Sequence, residues 1–265
     1  MFFTQLPVRG NIAGCSFEML IEGEGPPLLF LHAGHGFDAN DPLIGELARS
    51  FKVHAVSHPG FGESDLPKSV TTVTDLTYFY LDLIESLDLK NLILVGVSFG
   101  AWIATELATM GTGRIAKLVL LDAVGLKFSD RETREITDVY ATTVEEIPAL
   151  FFSDIEKGRA VLRNLDFRNM DEASVRRFVR NRESFLLFGW SPTLYNPKLN
   201  SRLHRINFPA LVLWGKDDRV VSVDYGRQFA DSLPNAAFDV VSDAGHYGYL
   251  EKPEEFARKI EAFLN

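Results

Sequence analysis

Cysteine is almost missing from this 265-residue chain, which carries Cys15 alone. One cysteine excludes an intrachain disulfide, and with no metal-ligand spacing around it Cys15 reads as a small buried hydrophobe. No apolar run approaches the ~20 residues that span a bilayer. The opening Met1-Phe2-Phe3-Thr4-Gln5 has neither the basic start nor the long apolar stretch of a signal peptide, so the cytoplasm is the expected location. A basic cluster is also lacking, and the net charge is −9. That balance argues against nucleic acid and anionic membrane surfaces as partners. Internal repeats and low-complexity tracts are absent. What remains, 46% hydrophobic and 24% charged residues, is the composition of a globular protein with a substantial core.

The pattern along the chain alternates. Phe17 to Ile21 ends at the turn cluster Glu22-Gly23-Glu24-Gly25-Pro26-Pro27 and reads as part of an antiparallel hairpin. Leu28-Leu29-Phe30-Leu31, Val53-His54-Ala55-Val56, Asn91 to Val95 and Ile115 to Leu121 are short apolar runs expected of buried strands. Between them Leu43 to Ala48, Val73 to Leu87 and Ala101 to Ala108 have helical spacing. From about Leu126 the rhythm changes to a charged, helical tone without strand-like runs. It returns to strand, helix, strand at Pro209 to Trp214, Asp224 to Leu233 and Ala237 to Val241. A last amphipathic helix runs from Glu254 to Leu264, opened by Pro253. The expected fold is α/β, a mostly parallel sheet covered on both faces. Residues 1–125 and 206–265 form the sheet domain, and 126–205 a helical cap inserted into it.

Gly96-Val97-Ser98-Phe99-Gly100 stands between one of these strands and the helix after it. Gly-x-Ser-x-Gly in that position marks a tight turn that pushes the serine hydroxyl outward, with glycine where side chains would collide with backbone. An alcohol needs a general base, itself oriented by a carboxylate. His246, in Asp243-Ala244-Gly245-His246-Tyr247 after the last predicted strand, occupies a loop able to reach Ser98. The acid is expected after the Trp214 strand in Gly215-Lys216-Asp217-Asp218-Arg219. Asp218 is favoured there, with Asp217 and Asp122, after the Ile115–Leu121 strand, as alternatives. Two backbone N–H groups should face the developing oxyanion, those of Phe99 and of Gly34 in the loop His32-Ala33-Gly34-His35-Gly36-Phe37. His32 is expected to pin that loop.

Taken together, the His32-Ala33-Gly34 loop, Pro59-Gly60-Phe61-Gly62-Glu63-Ser64, Gly96 to Gly100, Trp214 to Asp218, and Gly245-His246 with Glu251-Lys252-Pro253 resemble the α/β-hydrolase superfamily over nearly the whole chain. The nearest likeness is to capped members, which include meta-cleavage-product (carbon–carbon bond) hydrolases and small esterases. The resemblance implies an eight-stranded-type sheet with a Ser98–His246–Asp218 triad, because in relatives with Gly-x-Asp-Asp-Arg the second aspartate carries the triad role. A serine nucleophile points away from haloalkane dehalogenases and epoxide hydrolases. Ala33 replaces a usual glycine, and Ala101 a common second glycine after the elbow. Val97 stands where many carbon–carbon hydrolases carry asparagine, and Tyr247 where they often carry tryptophan.

The expected chemistry is acyl transfer through Ser98 with no metal or organic cofactor. The first reading is a carboxylesterase of small to medium apolar esters. The alternative is a carbon–carbon hydrolase of vinylogous diketones, and the third a non-catalytic receptor for a small molecule. Phenylalanines of the insert, among them Phe151, Phe167 and Phe185, serve first as its core. Trp190, in Trp190-Ser191-Pro192, is the first candidate to line a substrate pocket, with His35, Phe37 and Tyr247 at its border. Arg176, Arg177, Arg180 and Arg182 offer either a solvated helix face or recognition of a carboxylate.

Overall fold

The computed structural model describes residues 7–130, 132–163 and 170–265. Phe167 lies outside them. One sheet takes strands β1 (Val8–Ile12), β2 (Cys15–Glu22), β3 (Pro27–Leu31), β4 (Lys52–Val56), β5 (Leu92–Val97), β6 (Ile115–Leu121), β7 (Ala210–Gly215) and β8 (Ala236–Val241). The helices in chain order are α1 (Pro42–Leu47), α2 (Val73–Ser86), α3 (Phe99–Thr109), α4 (Ile147–Phe151), α5 (Ile155–Arg163), α6 (Glu172–Gly189), α7 (Val223–Asp231), α8 (Gly248–Glu251) and α9 (Pro253–Leu264).

The strand order is β1-β2-β4-β3-β5-β6-β7-β8. β2 pairs antiparallel with β1 and with β4, while β3 to β8 run parallel. The chain steps from β3 outward to β4, then returns to place β5 on the other side of β3. Beyond the carboxyl ends of β3 and β5 the connections therefore diverge and leave a crevice, the usual ligand position in such sheets. Register pairs Leu31 with Gly96, so the loop after β3 and the turn after β5 emerge side by side.

Side-chain alternation along each buried strand builds two cores. Leu29 and Leu31 pack with α2, α3 and α7 on one face, and Leu28 and Phe30 with α1 and α9 on the other. Thr72 starts α2 through a reciprocal cap with Asp75. α3 is buried along its whole length between sheet and neighbouring helices. Between β6 and β7 the described residues contribute α4, α5, α6 and a 3-10 segment, Asn200–Arg205, and no strand of the sheet. Isolated bridges, Gly125 to Tyr195 and Ile136 to Val221, tie this segment down.

The pattern missed two elements. Val8–Ile12 is largely exposed on the sheet edge and shows no apolar alternation, and α8 is a single turn too short for periodicity to register. Among the described residues no helix is long and apolar enough to cross a membrane.

Gly100 sits where α3 crosses the end of β3, and a Cβ there would overlap the Leu31 carbonyl oxygen. Since backbone on both sides must shift, Gly100→Ala is expected to cost about 2–3 kcal/mol. A thermal melt about 5–10 °C below that of the unaltered protein would report it.

Candidate active site

Ser98 occupies the turn between β5 and α3 at φ 50° and ψ −110°, a conformation that L-residues rarely hold. The turn is locked by the Ser98 N–H, which donates to Leu121 O at 2.8 Å. Its flanks leave no room: a Cβ on Gly96 would stand 2.5 Å from Gly100 O. The first N–H groups of α3 precede any helical acceptor and are free to serve something else.

The structure brings Ser98, His246 and Asp218 into one buried hydrogen-bonded chain. His246 Nε2 lies 2.8 Å from Ser98 Oγ, and Nδ1 2.8 Å from Asp218 Oδ2. Asp218 accepts on Oδ1 from the N–H groups of Val220 and Val221, at 2.8 and 2.9 Å. With Nδ1 donating to Asp218, the Nε2 lone pair is left to accept from the Ser98 hydroxyl.

The other two acids are placed differently. Asp217 turns to the insert and accepts from Ser153 Oγ at 2.6 Å. Asp122 is fully buried, and its Oδ1 accepts from Gly215 N–H at 2.7 Å. Its Oδ2 has no hydrogen-bond donor, but the carboxyl lies beside that of Asp218. Burial first, and then the Asp218 charge, push the Asp122 pKa well above the usual carboxylate range. Burial and the neighbouring charge thus favour the neutral form of Asp122.

The histidine loop is held by a residue that sequence reading grouped with the motif but gave no role. Glu251 accepts from Gly245 N–H at 2.8 Å, Ser153 N–H at 3.1 Å and Asp154 N–H at 2.9 Å. It thus joins the residue before His246 to the insert.

The loop after β3 is fixed from below by a chain of neutral groups. The His58 N–H donates to His32 Nε2 at 3.0 Å, so His32 carries its proton on Nδ1 and donates to Ala33 O at 2.7 Å. His58 donates from Nε2 to His32 O at 3.0 Å and accepts on Nδ1 from the Tyr80 hydroxyl. Burial lowers the pKa of His58 to about 3 and that of His32 well below its ordinary value. The stacked rings, 3.6 Å between centroids, are thus uncharged at neutral pH. His58 and Tyr80 escaped the sequence reading, since nothing local pairs a turn histidine with a tyrosine on α2.

Above the turn, the face of α6 carrying Phe185 and Phe188 covers Phe99, with ring centroids 5.4 and 6.3 Å away. The Phe185 ring also rests on Gly34, where a Cβ would come within 2.7 Å of it. Tyr247 stacks on Phe151 at 4.5 Å and meets His35 edge-on at 5.0 Å. Two expected lining residues are elsewhere. Trp190 is 58% exposed at the end of α6, because two positions past Phe188 is about 200° around a helix. Phe37 is buried in the core with Ala33 and Leu43, beneath the loop rather than at an entrance. Of the four arginines, Arg176 pairs with Glu172, Arg177 with Glu18, and Arg180 with the carbonyls of Gly60 and Ser64. Arg182 lies over the Tyr140 ring, 4.7 Å from its centroid. Among the described residues no group of three or more His, Cys, Asp or Glu is arranged to hold a metal ion.

Comparison with known proteins adds the following. The model of the alpha/beta hydrolase family matches residues 28–259. A 2-hydroxy-6-oxononadienedioate/2-hydroxy-6-oxononatrienedioate hydrolase of Cupriavidus pinatubonensis is 26% identical, over 98% of this chain and 91% of that protein. A 2-hydroxy-6-oxo-6-(2'-aminophenyl)hexa-2,4-dienoic acid hydrolase of Metapseudomonas resinovorans is 25% identical, over 96% and 89%. The solved 2-hydroxy-6-oxo-6-phenylhexa-2,4-dienoate hydrolase from Rhodococcus sp. strain RHA1 superimposes with a TM-score of 0.78. It has 22% identity and 98% of each chain covered.

Proposed function

This chain belongs to the alpha/beta hydrolase family, and from that premise we propose that it is a serine hydrolase working through an acyl-enzyme on Ser98. The observation that carries the reading is the hydrogen-bonded sequence Asp218, His246, Ser98, with each bond 2.8 Å long. His246 takes the Ser98 proton as Oγ attacks a carbonyl carbon. The N–H groups of Phe99 and Gly34 hold the oxyanion, and Asp218 stabilises the imidazolium. His246 then returns the proton to the departing group, and a water activated by the same ring releases the acid. Residues 126–205 are taken as a helical cap over this centre.

For the substrate, the reading best supported is a 2-hydroxy-6-oxo-hexa-2,4-dienoate, the class named for relatives that match nearly the full chain. In such a molecule C6 is a ketone, so hydrolysis there breaks the C5–C6 bond. Water is consumed, one carboxylic acid forms from C6, and C5 gains a proton to leave 2-hydroxypenta-2,4-dienoate. Arg182, which among the described residues makes neither a salt bridge nor a carbonyl bond and lies over Tyr140, is the proposed contact for the substrate carboxylate.

Ester hydrolysis is the second reading. Val97, fully buried beside Ser98, adds no polar group where many carbon–carbon hydrolases carry asparagine. The two part on a direct comparison of 2-hydroxy-6-oxo-6-phenylhexa-2,4-dienoate with p-nitrophenyl esters of increasing chain length. The dienoate is expected to show the higher kcat/KM. Arg182→Ala should lower that value about tenfold, the worth of one charge-assisted bond, and leave the esters unaffected. Turnover of esters alone would transfer the assignment to a carboxylesterase.

A further inference from the structure

We propose that Asn181 of the cap helix α6 is a positioning residue for the oxyanion loop, acting on the Gly34 N–H through two peptide planes in series. The inference rests on the serine hydrolase reading for what that N–H does, and on geometry for how it is held.

Asn181 is buried, 6% exposed, in the middle of α6, on a helix whose other buried residues are Ser184, Phe188 and Gly189. Its amide joins three segments. Oδ1 accepts from the Gly62 N–H at 2.8 Å, and Nδ2 donates to the His35 carbonyl at 2.8 Å. The orientation is unambiguous, because a backbone N–H can only donate and a carbonyl only accept. Gly36 packs against the same amide so tightly that a Cβ would overlap Nδ2. A positive φ of 110° at Gly36 independently favours glycine there.

The connection to Gly34 follows from peptide planarity. The His35 carbonyl and the Gly36 N–H belong to one planar unit and point in opposite directions. Asn181 holds one end of that unit. The other end, the Gly36 N–H, donates to Ala33 O at 3.1 Å. Ala33 O in turn shares a plane with the Gly34 N–H, so fixing the carbonyl directs the N–H to the opposite side. His32 Nδ1 holds the same carbonyl from below at 2.7 Å. The loop is thus clamped between a histidine of the core and an asparagine of the cap. One helical turn on from Asn181, Phe185 lies on Gly34 itself. The cap helix therefore sets part of the oxyanion hole as well as covering it.

Three full-length variants test this. Asn181→Asp is nearly isosteric, keeps an acceptor for Gly62 and loses the donor to His35. Asn181→Leu loses both. Ser184→Ala removes a neighbouring cap-to-core bond, to Gly60 O, without touching the loop. The readouts are the rate of Ser98 modification by a fluorophosphonate, kcat and KM on p-nitrophenyl acetate, and amide hydrogen exchange over residues 33–37. Both Asn181 variants should react with the probe about 10- to 100-fold more slowly, as expected for a misplaced donor. KM should stay within about threefold, and exchange over 33–37 should quicken about tenfold as the clamp opens. Ser184→Ala should match the unaltered protein in all three.

Folded Asn181 variants with unchanged labelling and unchanged exchange would overturn the proposal. So would a Ser184→Ala variant that slows as much, since general anchoring of the cap would then suffice. Should the unaltered protein fail to react with the fluorophosphonate, the hydrolase reading falls. The clamp itself is then decided by exchange alone. Should Asn181→Leu fail to fold, the isosteric aspartate carries the test.

Discussion

Ser98→Ala is expected to remove turnover of every substrate the protein accepts, lowering kcat by about 10⁴-fold or more. The strained turn, the packed glycines on either side and the histidine 2.8 Å away all converge on one hydroxyl oxygen. Among the described residues Ser98 Oγ is the side-chain group bonded to His246 Nε2, and no second nucleophile takes that place. The fold should be unaffected: alanine deletes one oxygen and leaves the turn's backbone bonds in place. Steady-state rates, with a thermal melt as control, test this on whichever of the two substrate classes is turned over. A variant that kept more than about a hundredth of the activity would remove Ser98 from the nucleophile role and the acyl-enzyme with it.

The two carboxyls behind His246 should respond unequally to the same change. Asp218→Asn is expected to lower kcat about 10³- to 10⁴-fold. An amide facing Nδ1 cannot favour the N–H tautomer or stabilise the imidazolium. Asp122→Asn should cost less than tenfold, the range of one neutral hydrogen bond, since His246 Nδ1 is bonded to Asp218 rather than to Asp122 and asparagine keeps the acceptor for the Gly215 N–H. The pH dependence separates the two further. A folded-state pKa raised above the unfolded value means that the fold retains a proton which the unfolded chain gives up. Stability is then lost as pH rises through the ordinary carboxylate range, near about 4, and beyond. Asparagine has nothing to ionise, so the melting temperature of Asp122→Asn should gain on that of the unaltered protein between pH 4 and pH 8. A large activity loss in Asp122→Asn together with a small one in Asp218→Asn would exchange their roles.

Much of this molecule was legible in the chain because it depends on local pattern. Short apolar runs bounded by glycine and proline disclosed the inner strands, for a strand buried on both faces must be apolar throughout. The elbow was legible for a related reason: a turn that tight admits glycine alone at Gly96 and Gly100. Ser98, His246 and Asp218 could be picked out since each follows a strand whose carboxyl end opens on one crevice.

What the chain could not disclose are arrangements made by distant residues meeting. Asp217 and Asp218 are neighbours in sequence, and the path of the loop turns the first to Ser153 and the second to His246. Trp190 and Phe188 are equally aromatic, yet helix rotation sends one to solvent and the other onto Phe99. The raised pKa of Asp122 comes from its burial and then from Asp218 beside it, 96 positions along the chain. The bond from Asn181 to the His35 carbonyl requires α6 to reach across to the loop after β3. Local propensity and strand order can be read along a chain, because neighbours in sequence create them. Electrostatics and side-chain orientation inside a site belong to tertiary structure, because burial and the partner across the gap create those.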